Sequence, residues 1–198
     1  MMDREAWDKA AALHGHVCPG IVVGSRASML VLELLGRPGQ HIGTSYYAIV
    51  ENDVCGVDGV QMITGCTLGN DSLIIDNQGK FAFSWVDKMS GEGYRLLLKV
   101  PVWKSNEPLV LHEKVKFGTA TPEEKQKFFA MRQERGQELL EMSDQDLFQI
   151  EKITRKIAGK PRLFPFVNCA RCGEAFMEAY GTTMDEGIVC AGCRRGQG

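Results

Sequence analysis

Two C-x2-C pairs, Cys169-Ala-Arg-Cys172 and Cys190-Ala-Gly-Cys193, lie seventeen residues apart near the end of the chain. No other feature of the sequence restricts the fold as tightly. Tetrahedral zinc takes four deprotonated soft ligands; each C-x2-C turn presents two sulfurs on one side, and two turns complete the shell. The competing readings are a redox dithiol or a catalytic zinc. Four thiolates leave no open position, and neither pair stands alone in the manner of a thioredoxin motif. The pattern therefore predicts a structural zinc ribbon over residues 165–198, with Ala175–Tyr180 and Glu186–Val189 as a small hairpin. A unit this size has little core, so metal binding supplies much of its folding free energy. Arg171, Arg194 and Arg195 form a modest basic cluster, read as solvated surface.

The 198 residues are 44% hydrophobic and 24% charged, enough for one sizeable core besides the ribbon. A net charge of −2 offers nothing to a polyanion, so nucleic acid is not an expected partner. The longest apolar stretch, Ile21–Leu35, is interrupted by Ser25, Arg26, Ser28 and Glu33. No run reaches the roughly 18 residues of a membrane span. The opening MMDREAWDKA is acidic where a signal peptide is basic, so a cytoplasmic location is expected. In a reducing compartment, seven cysteines point to metal or catalysis rather than disulfides.

Asp3–Leu13 reads as an amphipathic helix, and Pro19 suits the first turn of a second, ending near Leu35 before Gly36 and Pro38. Thr44–Glu51 reads as a strand and Gly56–Thr64 as a short helix. Leu73–Asp76, Lys80–Asp87 and Tyr94–Pro101 read as successive strands, and Phe81, Phe83 and Trp85 alternate onto one face. Pro122–Met142 is a charged helix capped by Thr121. Ser143 with Asp146 predicts a further helix running to Lys160-Pro161-Arg162. The fold class is thus α+β, with helices on a mainly antiparallel sheet in a core domain of residues 1–160, followed by the ribbon.

His14-Gly-His16-Val-Cys18-Pro19-Gly20 places three soft donors within five residues, just before a helix start. In extended chain, alternate residues share a side, so His14, His16 and Cys18 face one way. Cys18 stands at the helix N-cap, where the dipole favours the thiolate. A second cluster follows in Glu51-Asn-Asp53-Val-Cys55-Gly-Val-Asp58-Gly-Val-Gln61. Cys55 falls at a strand-to-helix junction. Asp58 and Gln61, at i and i+3, share one helix face, from which they can orient metal ligands. Cys66 would lie about 16 Å from Cys55 on an unbroken helix, too far to share an ion, and ranks below it. Gly65-Cys-Thr-Leu-Gly-Asn70 lacks a P-loop lysine and reads as a turn.

Taken together, HGHVCPG and VENDVCGVDGVQMITGCTLGN resemble the FmdE family of formylmethanofuran dehydrogenase components, over about residues 5–105. The resemblance implies an α+β core, a homodimer and association with a molybdenum- or tungsten-dependent oxidoreductase. The family's His/Cys motif falls on His14, His16 and Cys18, its Glu-x3-Cys on Glu51 and Cys55, and its Asp-x2-Gln on Asp58 and Gln61.

The resulting expectation is an accessory metal-binding protein with a second, open site built from His16, Cys18 and Cys55. His14 and Asp58 stand close by as further ligands or supports, and the ion is Zn2+ or Ni2+. One rival is an enzyme with Cys18 or Cys55 as an activated nucleophile. Another is a scaffold whose ribbon docks a larger oxidoreductase.

Overall fold

The computed structural model describes residues 3–158 and 164–196. The predicted helix end and linker opening at Lys160-Pro161-Arg162 lie outside the described residues. Contacts divide the chain into two units, Met1–Ile157 and Ala158–Gly198.

In the first unit, α1 (Arg4–His14) starts at Asp3, whose carboxylate accepts the Ala6 N–H at 3.1 Å. It stops at Gly15, where a φ of 80° turns the chain and the Gly15 N–H reaches back to the carbonyls of Ala11 and Ala12. Helix α2 (Pro19–Leu34) starts from an extended Cys18 with Pro19 in its first turn, and α3 (Gly56–Thr64) starts from Cys55. These two helices cross with backbone against backbone. A Cβ on Gly24 would run into the Gly56 carbonyl oxygen, and one on Gly59 would stand 2.7 Å from Ser25. Gly20 lies in turn against Cys55, at 2.8 Å from where its Cβ would be. The pairs 20–55, 24–56 and 25–59 advance together along both helices. The helices therefore run side by side in the same sense, and their N-termini meet at Cys18 and Cys55.

Gly24→Ala should separate the helices and cost about 3 kcal/mol, at the upper end of overpacking effects. Urea unfolding at fixed metal concentration measures this; a loss below about 1 kcal/mol would mean that the crossing is looser.

The sheet has five strands in the order β2-β1-β3-β4-β5: β1 (Tyr46–Val50), β2 (Leu73–Ile75), β3 (Ala82–Asp87), β4 (Glu92–Leu98) and β5 (Phe148–Thr154). Only β1 and β2 pair in parallel; the rest of the ladder is antiparallel. Phe83, Trp85, Leu96, Ala48 and Val50 alternate onto the face that forms one core with Ile21, Val22, Val31 and Val60 of the helices. The α+β class, helices on a mainly antiparallel sheet, is what the molecule has.

In this unit the structure changes one predicted element and adds another. Ser143 does cap a helix, accepting the Asp146 N–H at 3.1 Å, but α6 (Asp144–Leu147) lasts one turn. Phe148–Thr154 then forms β5, paired residue for residue with β4 from Leu98↔Phe148 to Glu92↔Thr154. The outer edge of β4 needs backbone partners, and β-branched Ile150, Ile153 and Thr154 suit a strand better than a helix interior. The addition is α4 (Glu107–Lys116), which sequence reading missed. It packs on α5 (Pro122–Glu141), opened as expected by Thr121, through ion pairs of Lys114 with Glu124 and Lys127 with Glu107.

Arg26 ties α2 to the end of α5. Its guanidinium donates to the carbonyls of Leu139, Leu140 and Met142, at 3.0, 3.0 and 2.7 Å, and pairs with Asp144. These are the carbonyls that a helix C-terminus leaves without partners.

In the second unit, β6 (Phe166–Asn168) pairs with β7 (Ala175–Met177), and β8 (Gly181–Met184) with β9 (Gly187–Cys190). The single hairpin of 175–180 with 186–189 is therefore replaced by two, one for each cysteine pair. Each C-x2-C turn needs its own strand partner to hold two sulfurs in place. A short helix, α7 (Ala191–Arg194), carries Cys193.

Candidate metal centres

The four tail cysteines come together as expected. Their sulfurs all lie within 4.8 Å of one another, an arrangement that can hold a metal ion. A tetrahedral ion with sulfur ligands at 2.3 Å sets its ligands about 3.8 Å apart, so the group fits. Backbone N–H groups of Arg171 and Cys190 point at the Cys169 sulfur, each at 3.4 Å, and the Cys193 N–H at that of Cys190, also 3.4 Å. The backbone donors on Cys169, the Cys190 N–H foremost and that of Cys172 next, bring its thiol down to about 6, in favour of the ligating thiolate. Cys169, Val189 and Cys193 are the whole buried core among the described residues of this unit, with Phe176 and Cys190 packed beside them.

The second group is His14, His16 and Cys18, whose donor atoms also lie within 4.8 Å of one another. His14 is the last residue of α1 and Cys18 the N-cap of α2, so the Gly15 turn folds one helix end onto the other. His14 Nε2 stands 3.6 Å from Cys18 Sγ. An ion ligated tetrahedrally by nitrogen at about 2.1 Å and sulfur at about 2.3 Å places the two donors about 3.6 Å apart. His14 Nδ1 is 2.7 Å from the Asp58 carboxylate on α3. That bond makes Nδ1 the donor, so that in the neutral ring Nε2 carries the lone pair that can ligate, and it aims the ring. Burial pulls the His14 imidazole down, but its hydrogen bonds to Asp58 and Cys18 prevail and raise it. The His16 ring lies 4.4 Å from that of His14 and is exposed, so the cluster is open to solvent on that side.

Cys55 lies against Cys18 but is not part of the three-donor group. Hydrogen bonding between the two sulfurs, helped by the His14 imidazole, takes Cys18 down to about 5 and pushes Cys55 up. The shared hydrogen bond thus favours the thiolate on Cys18 and the thiol on Cys55. Both sulfurs sit at helix N-termini, where the dipoles favour negative charge.

Other residues singled out in the sequence lie elsewhere. Gln61 does not reach the cluster; its side-chain oxygen accepts the Leu68 N–H at 3.4 Å. Cys66 is fully buried, its thiol pushed up by that burial and directed at the Tyr46 carbonyl at 3.9 Å. Gly65–Asn70 is a loop closed by Asn70, whose side-chain oxygen accepts the Thr67 N–H at 3.0 Å. Glu51 is buried and takes a two-pronged bond from Arg95, at 2.6 and 2.9 Å, which keeps its carboxyl below the usual carboxylate range. With Asn52, which donates to the Lys80 carbonyl at 2.8 Å, this pair anchors the segment that delivers Cys55. Arg95 went unnoticed in the sequence, since nothing local links residue 95 to residue 51.

Residues 13–149 match the family described as FmdE, molybdenum formylmethanofuran dehydrogenase operon, which is more than half of the chain. The chain belongs to the FmdE family. The solved structure of a tungsten formylmethanofuran dehydrogenase FmdE-like protein from Syntrophus aciditrophicus superposes with a TM-score of 0.62. It is 28% identical, over 97% of this chain and 91% of that one. A relative from Archaeoglobus fulgidus named "Probable S-adenosyl-L-methionine-binding protein" is 34% identical over 193 residues, 93% of this chain. This FmdE chain spans about half of that relative, 52% of its length. No helix among the described residues is long and apolar enough to cross a membrane.

Proposed function

We propose that this FmdE protein is an accessory metal-binding protein of molybdenum- or tungsten-dependent formylmethanofuran metabolism. It acts as a cytoplasmic homodimer beside the larger oxidoreductase. The tail binds a structural Zn2+ through Cys169, Cys172, Cys190 and Cys193. The core carries an open Zn2+ or Ni2+ site on His14, His16 and Cys18, with the Cys55 sulfur at hand as a fourth donor and Asp58 positioning His14. The observation that carries this reading is the single His14 ring, with one nitrogen on a carboxylate and the other at ligand spacing from a thiolate. An ion there would provide a Lewis acid or a transferable charge, and exposed His16 leaves a way in for a ligand or an acceptor.

Metal analysis of the purified full chain tests this reading. Two equivalents per chain are expected, and Cys18→Ser should remove one of them only. One equivalent, together with stoichiometric alkylation of a single core thiol, would favour Cys18 as a nucleophile. One equivalent with unreactive core thiols would leave a docking scaffold.

A further inference from the structure

Beside the core donor cluster but containing none of its donors, α1 and α5 flank a groove of about 630 Å³, within the range of small-molecule sites. Phe129, Arg132, Gln133 and Gln137 line it from one face of α5, and Trp7 and Val17 from the other side. Gly136, buried behind the α5 stripe, lets α5 lie close to Val17 and Val22. A Cβ there would meet only Val17 and Val22, each at 3.9 Å.

The Arg132 guanidinium lies over Phe129, 5.0 Å from the ring centroid, and 5.8 Å from that of Phe128. Among the described residues no carboxylate is paired with it. A guanidinium stacked in this way keeps its in-plane N–H donors available. Arg4 also lines the groove and holds only Asp8, at 3.4 Å and largely in solvent, a weak attachment. The acid in the lining is Glu141, engaged by the Gln137 amide at 2.7 Å. It lies roughly 13 Å along the helix from Arg132, so it does not neutralise that end.

We propose that this groove binds a small aromatic molecule bearing one anionic group, with its ring against Trp7 and Phe129 and its charge on Arg132. The site does not depend on the metal reading. It adjoins it, because Val17 stands between the donors His16 and Cys18.

Fluorescence titration of the full chain with 8-anilinonaphthalene-1-sulfonate, and with uncharged N-phenyl-1-naphthylamine, tests the assignment. One sulfonate should bind per chain. Arg132→Met should weaken it tenfold or more and weaken the uncharged probe less than twofold. Phe129→Ala should remove one wall of the groove and weaken both probes tenfold or more, with folding checked by circular dichroism. Arg155→Met, outside the groove, should change neither. The proposal is overturned by the absence of saturable binding to the wild type, by a smaller effect of Arg132→Met on the sulfonate, or by equal weakening of both probes in that variant.

Discussion

Chelation of the tail metal is expected to unfold the described residues 164–196 while the helices and sheet of the first unit persist. The expectation follows from how little else holds the tail. Its buried core is Cys169, Val189 and Cys193, and its strands are three or four residues long. Hairpins of that length are not stable alone, and zinc binding in such units supplies on the order of 10 kcal/mol of folding free energy. Cys193→Ser should act like chelation, since it leaves three ligands and opens the core. Amide hydrogen exchange distinguishes the outcomes. Protection should vanish from Cys169, Val189 and Cys190 and survive in β1 and β3. A chelated protein still protected at those tail amides would show that the hairpins fold without the ion.

The second large effect concerns the core cluster. Cys18→Ser should abolish metal uptake there, because it replaces the one thiolate that the neighbouring sulfur and the two helix ends hold ionised. Asp58→Asn should act differently. It leaves every donor in place but weakens the grip on His14 Nδ1, and loss of such a supporting carboxylate typically costs 10- to 100-fold in metal affinity. Competition with a chromophoric chelator gives both numbers. If Asp58→Asn binds as tightly as the wild type, His14 is not the ligand that its geometry suggests.

Much of this molecule was visible in local patterns. α1, α2 and α5 have clear caps and punctuation at Asp3, Pro19 and Thr121, and the alternation of Phe83 and Trp85 marks a strand with one buried face. The misreadings share a cause. In α4 the continuous run Leu109-Val110-Leu111 blurs the helical period, so the terminal signals that are present, Asn106 and Pro108 at the start and Lys114 and Lys116 at the end, went unused. The Ser143 cap is real, though without the reciprocal bond of a full capping box, but the β4 edge, some fifty residues earlier, takes Phe148 onward into the sheet.

The site divides in the same way. The donors were readable because soft ligands crowded into five residues are hard to explain otherwise. Their arrangement was not, because it depends on Gly20, Gly24, Gly56 and Gly59 letting α2 and α3 touch. Without that crossing Asp58 has no route to His14, and Cys55 none to Cys18. The expected trio of His16, Cys18 and Cys55 accordingly differs from the trio whose donors come within 4.8 Å, in which His14 stands in place of Cys55.

Anomalous diffraction at the absorption edge, from crystals soaked in nickel or zinc, tests the core site most directly. Two peaks per chain are expected: one enclosed by the four tail sulfurs, the other within bonding distance of His14 Nε2, the His16 ring and Cys18 Sγ. A peak in the tail alone at saturating metal, with the His14 and Cys18 atoms refined free of any ion, would contradict the account.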